Sequence, residues 1–156
     1  MAWTLQTCVD VDIDELMTWF PDAHSVDIWG GPKFRFPYTR DTFCADCHWQ
    51  EFSTYSLRDP HGKFSAFGQM GSRYGRSHLA RLITHPELRG KGIGKRLLQK
   101  LIDVARDKKE FQEVALFVYR ANEPAYQCYL SMGFTVHKYP DDMPMRDRCY
   151  YLTRTI

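Results

Sequence analysis

The stretch Leu82-Ile83-Thr84-His85-Pro86-Glu87-Leu88-Arg89-Gly90-Lys91-Gly92-Ile93-Gly94-Lys95-Arg96-Leu97-Leu98 decides the fold. It opens at the end of an apolar strand predicted from about Ser77 to Thr84, crosses a glycine-rich turn and runs into a helix. Ile93, Leu97, Leu98, Leu101, Ile102 and Ala105 recur at helical spacing, an apolar stripe that must bury against a sheet or another helix. Unpaired N–H groups at the start of that helix, with the positive end of its dipole, favour an anion. Glycines allow positive φ and close approach of phosphate oxygens, and Lys91, Lys95 and Arg96 add positive charge. Taken alone, the turn is equally a tight strand-to-helix connection with a basic first turn. It is not a P-loop, because no Gly-Lys-Ser/Thr ending follows, and it contains no Gly-x-Gly-x-x-Gly.

Downstream, Val114 to Tyr119 reads as a buried strand, Pro124 to Met132 as a helix, and Phe134 to His137 and Cys149 to Thr153 as strands. Upstream, Trp3 to Val9 reads as a strand and Asp12 to Phe20 as a helix ended by Pro21. His24 to Tyr38, rich in Gly, Pro and aromatics, is expected to be an ordered loop, followed by a short helix from Thr39 to about Asp46. Glu51 to Leu57 and Lys63 to Met70 are two strands joined by the hairpin residues Arg58-Asp59-Pro60-His61-Gly62. Antiparallel strands first, then strand-helix-strand-helix-strand, predict an α/β domain with a mixed, mostly antiparallel sheet flanked by helices. No repeat or linker divides the 156 residues, so one domain over 1–156 is expected.

A net charge of +2 does not mark a nucleic-acid or anionic-membrane surface, and no apolar run reaches membrane-spanning length. Met1-Ala2-Trp3-Thr4-Leu5-Gln6 lacks the basic and apolar regions of a signal peptide, and five cysteines is an odd number. A cytoplasmic protein with free thiols is expected.

Two blocks carry a family resemblance. The pattern Gln/Arg-x-x-Gly-x-Gly/Ala is matched by Arg89, Gly92 and Gly94, within His85-Pro86-Glu87-Leu88-Arg89-Gly90. The second block runs Val118-Tyr119-Arg120-Ala121-Asn122-Glu123-Pro124-Ala125 and on to Tyr129-Leu130-Ser131-Met132-Gly133-Phe134. With both in this order and spacing, the chain resembles the GNAT superfamily of N-acetyltransferases from about Ser77 to Val136. Before Ser77 the likeness is architectural only. The resemblance implies an acetyl-CoA-dependent transfer to a primary amine by direct attack in a ternary complex. It also implies a sheet splayed between the strands at about 77–84 and 114–119.

By the same resemblance, backbone N–H groups of Arg89, Gly90, Lys91, Gly92, Ile93, Gly94 and Lys95 hold the pyrophosphate. The strand end Leu82-Ile83-Thr84 pairs with the pantetheine amides. Asn122 stands where the family places a side-chain amide near the pantetheine arm, although it is equally a helix N-cap. Tyr129 matches the tyrosine that protonates the departing thiolate in many relatives; a phenol of pKa about 10 stays neutral at physiological pH. The alternative for Tyr129 is a core aromatic on the helix, and Tyr126 is read as structural. Several relatives place a glutamate base on the strand before the turn, and a gap-free alignment puts His78 there. A lone strand histidine is more often simply packed and hydrogen-bonded. Where ribosomal-protein N-acetyltransferases carry a glutamate, five residues before the asparagine, this chain has Phe117. Another group or a water-mediated base therefore stays open, but not Arg81, which remains protonated.

The acceptor pocket is expected between the first two strands, with Trp29, Phe34 and Tyr38, and Tyr55 on the following strand, as aromatic walls for a cationic amine or a peptide end. Each is equally a core residue. The acceptor is a small-molecule amine or a protein or peptide amine, with no nucleic acid or membrane involved, and a homodimer is left open. Cys44-Ala45-Asp46-Cys47-His48 also matches the C-x-x-C-H haem-attachment pattern. No export signal, second ligand pair or thioredoxin-like context accompanies it, so packed cysteines and no metal are expected. A non-catalytic acyl-CoA-binding module and, more distantly, a haem or metal protein are the alternatives.

Overall fold

The computed structural model describes residues 2–156. Seven strands form one sheet: β1 (Thr4–Thr7), β2 (Ser53–Arg58), β3 (Phe64–Arg73), β4 (Arg76–Thr84), β5 (Glu113–Tyr119), β6 (Thr135–His137) and β7 (Cys149–Thr155). Their order is β1-β2-β3-β4-β5-β7-β6, and every neighbouring pair is antiparallel except β4 with β5. The mixed, mostly antiparallel sheet is the one predicted. β4 and β5 share register only at Ser77–Val114 and His78–Ala115, although β4 runs on to Thr84 and β5 to Tyr119. The sheet is therefore splayed, and the gap opens toward the C-terminal ends of these two parallel strands.

Helix α4 (Ile93–Lys108) covers one face of the sheet. Leu97, Leu98, Leu101, Ile102 and Ala105 pack on Leu79, Val114, Leu116 and Leu152, all essentially inaccessible to solvent. Each buried leucine or isoleucine contributes about 1.5–3 kcal/mol from removed apolar area, which makes α4 the main brace of β3 to β5. Its last turn carries Arg106 and Lys108 beside the negative end of the dipole, and Lys109 closes it in the left-handed region.

The opposite face carries α1 (Asp10–Leu16), α2 (Ala23–Gly30) and α3 (Arg40–Asp46), which bury Ile13, Leu16, Val26 and Phe43 against Phe64 and Phe67. Asp12 is buried there as an ion: Arg58 Nη2 donates at 2.6 Å and the Ser56 hydroxyl at 2.8 Å. The segment expected to be a loop from His24 to Tyr38 instead opens with α2. Asp22 caps that helix by accepting from Ser25 N at 2.9 Å, and Gly31 ends it at φ 95°. The cap residue lies outside the aromatic stretch that suggested a loop. Helix α1 also stops at Leu16 and tightens into a 3₁₀ turn over Met17–Trp19 before Pro21.

Candidate active site

The glycine turn leads directly from β4 into α4. Gly90 and Gly92 have φ of 79° and 78°, left-handed values that any other residue adopts at a cost. Gly92 is the N-cap and has no side chain to donate or accept, and the first helical bond runs from Arg96 N to Gly92 O at 3.3 Å. The amides of Ile93, Gly94 and Lys95 therefore stay free of helix partners and point out of the helix start. Lys91 and Lys95 are exposed beside them, while Arg96 lies 5.1 Å from the centre of the Trp3 ring. Arg89 Nε donates to Thr84 O at 3.4 Å, fastening the turn to the end of β4. The free amides and the open end of the β4–β5 gap thus lie at the same end of the sheet.

A β-bulge shapes the β4 lip of the gap. Phe67 pairs with Ile83 and Gln69 with Ala80, so Arg81 and Leu82 together face Gly68. Arg81 takes a φ of 53°. Its carbonyl accepts from Trp29 Nε1 on α2 at 2.8 Å. On the β5 lip, the Tyr119 hydroxyl donates to Asp27 Oδ1 at 3.3 Å, and burial followed by the nearby Asp27 charge pushes the phenol up to about 12. Helix α2 therefore holds both lips through side chains two residues apart.

Beyond the β5 lip, α5 (Glu123–Ser131) starts at Asn122, whose Oδ1 accepts from Ala125 N at 3.4 Å. The capping role is thus present, and the Asn122 side-chain NH₂ remains to donate elsewhere. Tyr129, one face of which packs against Phe134, has no hydrogen-bond partner for its hydroxyl among the described residues. Burial pushes that hydroxyl well above its ordinary pKa, so it stays protonated.

On the face away from α4, an aromatic row crosses from β4 to β7. His78 lies 5.4 Å from Phe117 and 6.4 Å from Phe52, and Phe117 lies 5.4 Å from Tyr139 and 4.8 Å from Tyr151 between ring centres. His78 is only 4% exposed, and burial, then Arg73 and Arg81, depress it to about 3. An imidazole with so little affinity for a proton is a poor general base at neutral pH, which counts against the role expected from alignment.

The four aromatics expected to line one pocket are not together. Tyr55 packs on the α4 side of the sheet, whereas Trp29, Phe34 and Tyr38 belong to the cluster beneath α1 to α3. Phe34 is buried against Phe43, and the Tyr38 hydroxyl donates to Met17 O at 2.5 Å, so both serve packing. Trp29 alone of the four reaches the gap, through its bond to Arg81. Cys47 is fully buried and burial pushes its thiol up to about 12, so it behaves as a small apolar residue. Among the described residues no three His, Cys, Asp or Glu side chains gather as metal ligands.

The acetyltransferase (GNAT) family model matches residues 13–134, most of the chain. This chain is a member of the GNAT acetyltransferase family. The L-amino acid N-acyltransferase MnaT of Escherichia coli (strain K12) is 35% identical over 75 residues, 47% of this chain and 43% of that protein. The match thus spans less than half of the curated relative's length. Among solved structures, AAC(6')-Ib in complex with ribostamycin and coenzyme A superposes with a TM-score of 0.77 at 21% identity, covering 99% of this chain and 94% of that one. Spermidine N-acetyltransferase from Vibrio cholerae, in complex with CoA and spermine, gives 0.76 at 16%, covering 98% and 95%. The ribosomal-protein-S18-alanine N-acetyltransferase from Escherichia coli gives 0.71 at 21%, covering 99% and 94%. These likenesses are of fold.

Within this GNAT domain, sequence reasoning passed over Asp27, Phe52 and the bulge at Arg81. Asp27 lay in the supposed loop, where no periodicity singled it out. Phe52 falls inside the strand predicted from Glu51 to Leu57, although the observed strand starts at Ser53, and a bulge leaves no mark when the side chain in the left-handed region is arginine. A helix N-cap at Asp22 was the available signal for α2.

Proposed function

We propose that this chain, acting as one domain over residues 1–156, transfers the acetyl group of acetyl-CoA to a primary amine by direct attack in a ternary complex. The observation that carries it is the alignment of the β4–β5 gap with the free amides at the start of α4. In this scheme the backbone from Arg89 to Lys95 binds the pyrophosphate. The unpaired edge of Leu82-Ile83-Thr84 pairs with the pantetheine amides as an added strand would, and the Asn122 NH₂ supplies a further donor. Solved structures of similar fold include complexes with CoA, which supports the choice of co-substrate.

Attack forms the C–N bond and breaks the C–S bond. Tyr129, neutral and without another partner, is the donor to the departing sulfur. The proton lost by the amine goes to water or to an acidic side chain on the acceptor face, since burial leaves the His78 imidazole little affinity for it. The acceptor is a small-molecule or peptide amine. Saturating acetyl-CoA is expected to raise the melting temperature by mass action, and thiol release is expected with amines present. A shift without turnover across an amine panel makes the protein an acyl-CoA-binding module instead. No shift at all overturns the co-substrate assignment.

A further inference from the structure

Helix α2 crosses the gap on the face away from α4. Trp29 Nε1 donates to the Arg81 carbonyl on β4, and Asp27 Oδ1 accepts from the Tyr119 hydroxyl on β5. The parallel register Ser77–Val114 and His78–Ala115, continued toward the splayed ends, sets Arg81 level with Val118 and Leu82 level with Tyr119. The two bonds therefore hold opposite lips at one depth, to within the single residue of the β4 bulge, and Asp27 stands over the opening. With the pantetheine amides on Leu82 to Thr84 and the pyrophosphate on the turn beyond, the thioester comes to this same depth. Phe117, two residues before Tyr119 and so on the same face of β5, forms with His78 an apolar floor beside it. On this side of the sheet Asp12, Asp46 and Glu113 are held in ion pairs by Arg58, Arg35 and Arg76. Asp27 is half-buried and has no ion-pair partner among the described residues; Oδ2 makes no hydrogen bond there.

We infer that Asp27 is a catalytic residue: its Oδ2 binds the acceptor nitrogen and takes a proton from it as the C–N bond forms, while Tyr119 holds Oδ1 in place. This assignment rests on the acetyl transfer proposed above and names the proton acceptor left open there. The acceptor ammonium gives its first proton to solvent. Attack of the free amine on the thioester carbonyl makes the nitrogen positive again, and Oδ2 receives the second proton. As the C–S bond breaks, Tyr129 gives its proton to the sulfur. The proton on Asp27 then returns through solvent to Tyr129. The sum is amide, free CoA thiol and one proton released, with Asp27 a carboxylate and Tyr129 a phenol again.

The test measures thiol release from acetyl-CoA by the full chain with the best acceptor from a panel of primary amines. Asp27→Asn keeps an oxygen for the Tyr119 hydroxyl and removes the proton acceptor. Its kcat at saturating amine is expected to fall by about 10²-fold, with acetyl-CoA still raising the melting temperature as it does for the wild type. Asp27→Glu, a carboxylate displaced by one methylene, is expected to keep part of the rate. Tyr119→Phe is expected to lower kcat several-fold alone and not at all when added to Asp27→Asn, since it acts through Asp27. A raised KM with unchanged kcat in Asp27→Asn would overturn the inference, because the residue would then bind the amine and move no proton. Wild-type kcat and KM in that variant would overturn it equally, and both results leave acetyl transfer intact. No thiol release by the wild type from any amine would overturn acetyl transfer itself. Where Asp27→Asn does not fold, Asp27→Glu and Tyr119→Phe decide, and an unchanged kcat in both overturns the inference.

Discussion

Trp29 on α2 donates its indole N–H to the carbonyl of Arg81 at 2.8 Å, joining residues 52 positions apart in the chain. The carbonyl is available because Arg81 sits in the left-handed region at the β4 bulge. One side chain thereby fixes both the bulge and the position of the helix that flanks the gap. Trp29→Phe keeps an aromatic ring against Phe20 and Phe43 but removes the donor. A net cost of about 1–2 kcal/mol is expected from the lost bond and the smaller ring. In thermal denaturation this is a fall in Tm of about 2–6 °C for a chain of this size. Thiol-release assays are expected to show kcat/KM lowered several-fold, because the β4 lip is no longer held.

Gly92 has φ 78° and nothing within 4 Å of where a Cβ would stand, so a substitution there tests backbone conformation and not crowding. Gly92→Ala is expected to cost about 1–2 kcal/mol in the folded state. Because the turn must keep its shape to present the α4 amides, calorimetric titration is expected to show weaker acetyl-CoA binding as well. Gly92→Asn, a residue that tolerates the left-handed region, is expected to recover much of both losses.

The glycine turn and α4 were legible in the sequence because local chemistry specifies them: glycines for positive φ, then an uninterrupted 3.6-residue stripe. The parallel contact of β4 with β5 is shorter than either strand, and no property of Leu82, Ile83 or Thr84 announces the loss of a neighbour. That feature came from family resemblance alone. His78 aligned with a family base, yet alignment carries no information about burial, and Phe52 and Phe117 close over it. Tyr55 and Trp29 looked equivalent as aromatics. Strand alternation sends Tyr55 to the α4 side, a consequence of register that composition does not reveal.

Tyr129→Phe separates chemistry from binding. The hydroxyl has no partner among the described residues, so its removal leaves no unsatisfied group behind and little change in Tm is expected. The ring keeps its place against Phe134. Under saturating acceptor, kcat is expected to fall by about 10²-fold, the low end for loss of a positioned proton donor, while the Kd of acetyl-CoA changes little. An unchanged kcat would remove Tyr129 as the donor to sulfur.

His78 links stability to pH in a direction opposite to that of a salt-bridged histidine. Its ordinary pKa of 6.5 applies in the unfolded chain, whereas burial depresses it to about 3 in the fold. Between those values the unfolded state binds a proton that the folded state refuses, so the equilibrium shifts toward unfolding as pH falls. The stabilisation of the neutral state is complete above about pH 6.5 and is lost progressively as pH drops toward 3. Each full unit below 6.5 costs at most about 1.4 kcal/mol from this group. Denaturant midpoints at pH 7.5 and pH 5.0 are expected to differ more in the wild type than in His78→Gln, whose side chain does not titrate. The same variant bears on catalysis. If His78 were the base, His78→Gln would abolish turnover at pH 7.5 even where it folds. With His78 neutral and enclosed, turnover is expected to fall no further than the loss of packing between Phe52 and Phe117 dictates.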